Sequence, residues 1–550
     1  MKLNFIKNIA PAALLSLSFG VSSCVNDLDL SVQDDQTNTE FDQTAYLAKV
    51  YASLVQTGAK GPDSGDDPGA DMAQFDEGNS SFYRRVFEAN ELPTDETMWT
   101  WQGDAGIPEL TNISWNSAHG YNELTYYRIE FNVTLCNFFL DQTEGATDAE
   151  TLQQRAEVRF LRAYFNTQFI DLYGKVPFKE HFNTDLPTEM SRADAFNYVV
   201  NELKAVAGET ESNEVLGDAG TVDYGRADKA AAWMLLARLY LNAEVYTGTP
   251  QWENAKTYAD KVINESGYKL NETELNGYTA YEQLFMGDNG ENANARQEII
   301  FAIRCDGAAT QNWSGSEYTI GSTRGNGTPD AGTTEAWTCN RARQALIAKF
   351  FEDITQVPLT QDPKDIRTEA NDDRAMFYGG GEMVEGELTN QRTVETETKM
   401  SFTAGLGILK WTNIYATGGR PHDTKFPDTD VPLFRVAEAY LTRAEANYRI
   451  GSNAVDVLKD LNKIRSRAHA ADLQDVDERT LLDEWCREFY FEGRRRSDLV
   501  RFNCFTTGNY LWDWKGGTYE GNAVNSFYNV YPIPYAELNT NNNMTQNPGY

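Results

Sequence analysis

Positive charge is scarce in this 550-residue chain: 48 lysines and arginines stand against 82 aspartates and glutamates, a formal net charge of −34. Such a surface repels phosphate backbones and anionic headgroups, and no basic tract offsets it, so nucleic acid is excluded as a partner. Histidine is rarer still. His119, His181, His422 and His469 are scattered without metal-ligand or triad spacing. Beyond Cys24 there are five cysteines, Cys136, Cys305, Cys339, Cys486 and Cys504, an odd number with no C-x-x-C. A disulfide framework does not follow from that pattern, and buried free thiols are expected. No apolar run approaches the roughly 20 residues that span a bilayer. Also absent are G-x-S-x-G, phosphate-loop and dinucleotide fingerprints. With 82 acids a glycosidase carboxylate pair can always be imagined, but no short motif pins one.

What is present begins at the N-terminus. "MKLNFIKNIAPAALLSLSFGVSSC" carries Lys2 and Lys7, a short apolar stretch and small residues ending at Cys24. Residues 1–23 are expected to be a secretory signal. "GVSSC" resembles a bacterial lipobox, which makes Cys24 the lipidated first residue of the mature chain; the alternative is an ordinary signal cleaved near Ser23. A lipid tether would then hold an otherwise soluble body at a membrane.

From Ser31 to about Gly120, short helical patches alternate with loops, among them the polar "TGAKGPDSGDDPGADMAQFDEG". From Asn122 the pattern turns helical. In "DAETLQQRAEVRFLRAYFNTQFIDLYG", Leu152, Ala156, Phe160, Ala163, Tyr164 and Ile170 recur at three and four, and Gly174 and Pro177 stop the run. Ser191 is placed to cap the next helix. "RADKAAAWMLLARLYLNAEVYTGTPQWENAKTYADKVINES" and "VPLFRVAEAYLTRAEANYRIGSNAVDVLKDLNKIRSRA" each predict two helices around a turn, with alanines permitting close packing. The fold class expected is mainly α, a tetratricopeptide-like helical-hairpin scaffold. Long loop and short-strand excursions, such as "QEIIFAIR" within 283–430, would carry the binding site.

"AEVRFLRAYFNTQFIDLYGKVPF", "GRADKAAAWMLLARLYLNA", "DVPLFRVAEAYLTRAEA", "EWCREFYFEGRRRSDLVRF" and "YPIPYAELNTNNNMTQNPGY" together resemble the SusD/RagB family over nearly the whole mature chain. "NELPTDETMWTWQ", "FFLDQTEG" and "FTTGNYLWDWKGG" resemble its starch-binding members most closely. The resemblance implies one domain over 24–550, with an N-terminal part (24–245) and a C-terminal part (246–550). It implies an outer-membrane lipoprotein without known catalytic activity that captures starch or maltooligosaccharide for a SusC-like TonB-dependent transporter. The alternatives are the same role for another glycan or for peptides, and a glycoside hydrolase.

Trp99 and Trp101 stand two apart. In an extended segment that puts both on one side, about 6.6 Å apart, laying two indole faces along one edge to receive sugar rings. The resemblance adds Asp76 and Arg84 as hydroxyl partners, Trp337 as a further aromatic, Trp313 where the starch-binding relative has a tyrosine, and Asp104 where it has an asparagine. Asp104 offers only acceptors at neutral pH. The resemblance also implies a structural calcium through the Gly290 carbonyl, Asp428 and Asp430, with Asp288 replacing a missing acid. Arg494, Arg495, Arg496 and Arg501 are expected to pair with scaffold carboxylates rather than bind phosphate.

Overall fold

Helix caps and apolar periodicity set most of the architecture. In a computed structural model of the protein, residues 41–58, 70–72 and 77–550 are described. The signal segment, Cys24, Asp76 and most of the polar loop lie outside them. The chain divides into two units, Met1–Tyr46 and Leu47–Tyr550, and the second holds every element named below.

The helices used here are α1 (Phe82–Glu91), α2 (Gly120–Gln142), α3 (Ala149–Leu172), α4 (Arg192–Val206), α5 (Lys229–Leu241), α6 (Trp252–Glu265), α7 (Gly315–Gly321), α8 (Val436–Ile450), α9 (Ala454–Arg467), α10 (Glu478–Phe489) and α11 (Arg495–Arg501). Asp148 caps α3 by accepting from Thr151 N at 2.9 Å, and Ser191 caps α4 from Asp194 N at 3.2 Å. Gly248 and Gly451 end their helices in the left-handed region, at φ 74° and 83°, where a Cβ would be strained. Consecutive helices pack as hairpins, α2 on α3, α3 on α4, α5 on α6 and α8 on α9, and α8 also packs on the distant α6. Ala230, Ala231 and Ala237 on α5 are fully buried; their small size lets the helices approach closely. The fold is mainly α and tetratricopeptide-like, as the sequence predicts.

One boundary differs. "VPLFR" is not the start of a helix. Val431–Arg435 is a strand paired antiparallel with Ile299–Ile303, and the helix begins at Val436. Pro432, the bulge beside Phe434 and a partner more than 120 residues away explain why local periodicity missed it. Two further strands matter for the site: β1 (Thr97–Trp99) and its antiparallel partner β2 (Asn340–Ala342).

All five described cysteines are free, with Cys136, Cys339 and Cys486 buried. Among the described residues, no helix is long and apolar enough to cross a membrane.

Candidate functional site

The β1–β2 pair brings distant stretches together. Trp99 sits opposite Asn340, and Thr100 N donates to the Cys339 carbonyl at 2.7 Å. Residues 337–340 in turn run along the end of α7: Trp337 N donates to Gly321 O at 2.7 Å, Thr338 N to Arg324 O at 2.8 Å, and Asn340 N to Ser322 O at 2.7 Å. Arg84 comes from the first turn of α1, which Ser81 caps.

On this backbone the rings form a continuous ladder. Trp101 is 40% exposed and meets Trp99 edge to face, centroids 5.9 Å apart and planes at 89°. Trp99 is only 3% exposed and lies nearly parallel to Tyr318, 6.2 Å away at 17°. The Arg84 guanidinium sits 4.8 Å from the Tyr318 ring and 6.0 Å from Trp337. Trp337 then faces Trp313 at 6.3 Å, and Trp313 meets Phe426 at 5.4 Å with the Lys425 ammonium 4.3 Å from its ring.

The expected two-indole platform is therefore corrected. The strand ends at Trp99, and the chain turns through hydrogen bonds from Gln102 N to Thr100 O (2.8 Å) and Asp104 N to Trp101 O (3.1 Å). That turn breaks the period of two. Trp99 is the buried support, and Trp101 is the open face. Asp104, half-buried, stays on the loop after Trp101. Sequence reasoning missed Tyr318 and Phe426, which join the ladder only through space. Lys425 was legible in principle, as a rare cation beside a phenylalanine in an acidic chain.

Polar partners fix the rings. Arg84 donates from Nε to Glu88 at 2.9 Å and from Nη1 to Gly78 O at 2.8 Å. Burial alone would lower its pKa, but the Glu88 carboxylate more than offsets that and raises it, so Arg84 stays cationic. Trp337 Nε1 donates to Glu335 at 2.8 Å, and Lys425 lies 3.7 Å from the same carboxylate. Behind them Glu317 is 2% exposed with neither carboxyl oxygen partnered. Burial first, then the Glu335 charge, push the pKa of that carboxyl well above the ordinary range.

The residues expected to hold calcium are not gathered into one shell. Asp288 accepts from Ala416 N (2.9 Å), Thr417 N (2.8 Å) and the Thr417 hydroxyl (2.6 Å), so both its oxygens anchor that loop. Asp428 accepts from Gly307 N (2.8 Å), His422 N (2.8 Å), His422 Nδ1 (3.0 Å) and the Tyr415 hydroxyl (2.9 Å). Asp430 accepts from Cys305 N at 2.6 Å, and its other oxygen lies where a Cβ on Gly290 would collide with it. Burial pushes Asp430 up to about 7. Gly290 and Asp430 are thus brought together. His422, which shows no ligand spacing in sequence, joins Asp306 and Asp428 with ligand atoms within 4.8 Å.

The arginine run is structural, as expected. Arg494 pairs with Glu438 (2.9 Å) and Asp498 (3.1 Å), Arg495 with Asp95 (2.7 Å), Arg496 with Asp171, and Arg501 with Glu445 (2.8 Å).

Known proteins are similar to this chain in sequence and in fold. The sequence profile of the SusD family matches residues 297–550. The chain is 49% identical to the starch-binding protein SusD of Bacteroides thetaiotaomicron, covering 100% of both. It is 22% identical to SusD-like protein P25 of Formosa agariphila, over 76% of each chain. Among solved structures, surface glycan-binding protein A of Bacteroides thetaiotaomicron in complex with laminarihexaose superposes with a TM-score of 0.64 at 17% identity, over 92% of this chain and 98% of that one. Surface glycan-binding protein A of Bacteroides uniformis gives 0.65 at 20% identity, over 92% and 98%; at these identities the likeness shows the fold alone. Identity of 49% over 100% of both chains, on a helical-hairpin scaffold, makes the chain a member of the SusD/RagB family.

Proposed function

We propose that this chain captures starch-type maltooligosaccharides at the cell surface, on the face formed by Trp101, Trp313 and Trp337, and passes them to a SusC-like TonB-dependent transporter. The observation that carries the reading is the 49% identity, without truncation on either side, to a protein named for starch binding. The ladder suits the task chemically. Trp101 offers an exposed ring for the C–H face of a sugar. Trp313 and Trp337, half-buried and inclined by 49°, present a bent rather than flat surface, which favours a curved chain such as amylose. Arg84 and Asp104 flank the rings as donor and acceptor for hydroxyls, with Asp76 assigned the same role. Trp99 acts from beneath.

Capture before import calls for modest affinity, a dissociation constant from micromolar to millimolar, or about −8 to −4 kcal/mol. Calorimetry and polysaccharide gel retardation with maltoheptaose, laminarihexaose, fructan, pectin and peptides test the reading. Binding of maltoheptaose alone supports it; binding of another member of the panel instead reassigns the ligand.

The same reading places a lipid on Cys24 as the outer-membrane tether. Cys24→Ala then yields soluble protein, and a variant that still fractionates with outer membrane removes the tether from the proposal. A structural calcium belongs to it only at the Gly290–Asp430 contact. There chelation would lower the melting temperature, and identical melting with and without chelator removes the ion.

A further inference from the structure

Away from the ring ladder, a cavity of about 170 Å³ opens between the 278–286, 324–330, 363–376 and 409–414 segments. Its walls are largely apolar: Met286, Met376, Leu409, Ile414, Pro329 and Pro363. Into this setting the chain places Arg324, 5% exposed. Its Nη2 donates to the carbonyls of Leu409, at 3.3 Å, and Trp411, while Nε has no hydrogen-bond partner. Among the described residues it forms no ion pair. Burial lowers its pKa to about 10, against a raising contribution from Asp330. At the rim Arg367 is paired with Glu282 at 2.8 Å, and Lys364 and Asp330 are exposed.

Arg341 and Arg392 of the same region are likewise held by carbonyls with no carboxylate; Arg324 in addition lines a cavity with room for the counter-charge that a buried cation calls for. Here none of the lining residues supplies it at contact distance, and the space beside the guanidinium is open. Apolar walls with one convergent charged group describe a small-molecule site. A cavity of similar size with purely apolar walls takes up benzene-sized ligands.

We propose that the Arg324 cavity is a second ligand site, taking a small amphiphile whose carboxylate pairs with the Arg324 guanidinium while its apolar body lies against Met286, Met376, Leu409 and Ile414. The chemistry differs from that of the ring ladder. A neutral sugar would leave the guanidinium without a counter-charge and place hydroxyls against methionine and leucine side chains. The site therefore stands independently of the glycan reading.

The test uses the mature protein free of glycan, with hexanoate as the probe, hexanamide as its neutral counterpart and acetate as the head group alone, followed by calorimetry and ligand-observed NMR. Hexanoate binds at least ten-fold more tightly than hexanamide, and acetate binds more weakly still. Arg324→Met removes that preference. Because losing the two carbonyl contacts could unfold the loop, Ile414→Trp is the second variant: it fills the cavity without touching Arg324 and abolishes hexanoate binding. Trp101→Ala leaves hexanoate binding unchanged, which separates this site from the glycan face. Equal binding of hexanoate and hexanamide, absence of hexanoate binding to the parent, or full binding by folded Ile414→Trp each overturns the proposal.

Discussion

Two buried arginines of the loop-rich excursion over 283–430, Arg341 and Arg392, are held by different partners from the arginines where α8, α9 and α10 meet. Where α8, α9 and α10 meet, Arg435 bonds Glu488 at 2.6 Å and Glu492 at 2.8 Å, and Arg467 bonds Glu298 at 3.0 Å. In the excursion Arg341 donates to the carbonyls of Lys399, at 2.8 Å, and Ser401. Arg392 donates to the carbonyls of Phe402, Gly405 and Gly325, each at 3.3 Å. The difference follows from the backbone. Helix interiors satisfy their own carbonyls, so an arginine buried among helices finds carboxylates or the free carbonyls of a helix end, as Arg192 does at Ile170 and Asp171. Irregular chain leaves carbonyls without partners, and a guanidinium with five N–H donors gathers several at once. The junction of α8, α9 and α10, joined by Arg374 of the excursion, is tied by charge, and the part of the excursion around Arg341 and Arg392 is tied by dipoles.

Two substitutions should have the largest effect on stability. Arg435→Met removes one of the cations that neutralise Glu488 and Glu492 in the core, leaving them Arg467 and Lys410, and should cost about 3–5 kcal/mol in urea denaturation. Trp99→Ala empties the space against Tyr318 and should cost a similar amount, about 3–5 kcal/mol. Arg392→Met removes a donor from three carbonyls and should cost less, about 1–3 kcal/mol. Equal losses for Arg435→Met and Arg392→Met would break the comparison.

Acid sharpens it. Burial would raise Glu488, but Arg467, Arg435 and Arg374 hold it down to about 2; likewise Arg374, Arg487 and Arg465 hold Glu484 to about 2. A carboxylate whose folded pKa is depressed stabilises fully above its unfolded value of 4.5 and loses that contribution as pH falls toward about 2. The Arg–carbonyl contacts do not titrate in that window. Circular dichroism from pH 5 to 2 should therefore report loss of helix packing with no earlier transition in the excursion. An excursion that loosens first, seen as Trp313 and Trp337 fluorescence shifting before the far-ultraviolet signal, would contradict this assignment.

The helical scaffold was legible because its signals are local. Ser191 and the Gly248 and Gly451 turns fall where spacing along the chain puts them, and the arginines of 494–501 were rightly assigned to scaffold acids. Val431–Arg435 was not legible, because its partner strand lies at 299–303 and nothing within the window announces a ladder. At the site, Trp99, Trp101, Arg84, Trp313 and Trp337 were named from motif resemblance and do come together. Their roles within the ladder were not legible. Whether Trp99 or Trp101 is open depends on where β1 ends, and Tyr318, the ring that supports Trp99, belongs to a seven-residue helix with no distinguishing pattern. The partners of Asp288 were not legible for a related reason: Ala416 and Thr417, which hold it, are about 130 residues away in sequence.

The smallest expected effect on stability is also the most informative about function. Trp101 is exposed and supports nothing beneath it, so Trp101→Ala should leave the denaturation midpoint within about 0.5 kcal/mol of the parent. Calorimetry of that variant with maltoheptaose tests the central claim directly. The account predicts at least a ten-fold loss of affinity in a protein with parental circular dichroism and melting temperature. Parental affinity in folded Trp101→Ala would contradict it and place the glycan elsewhere.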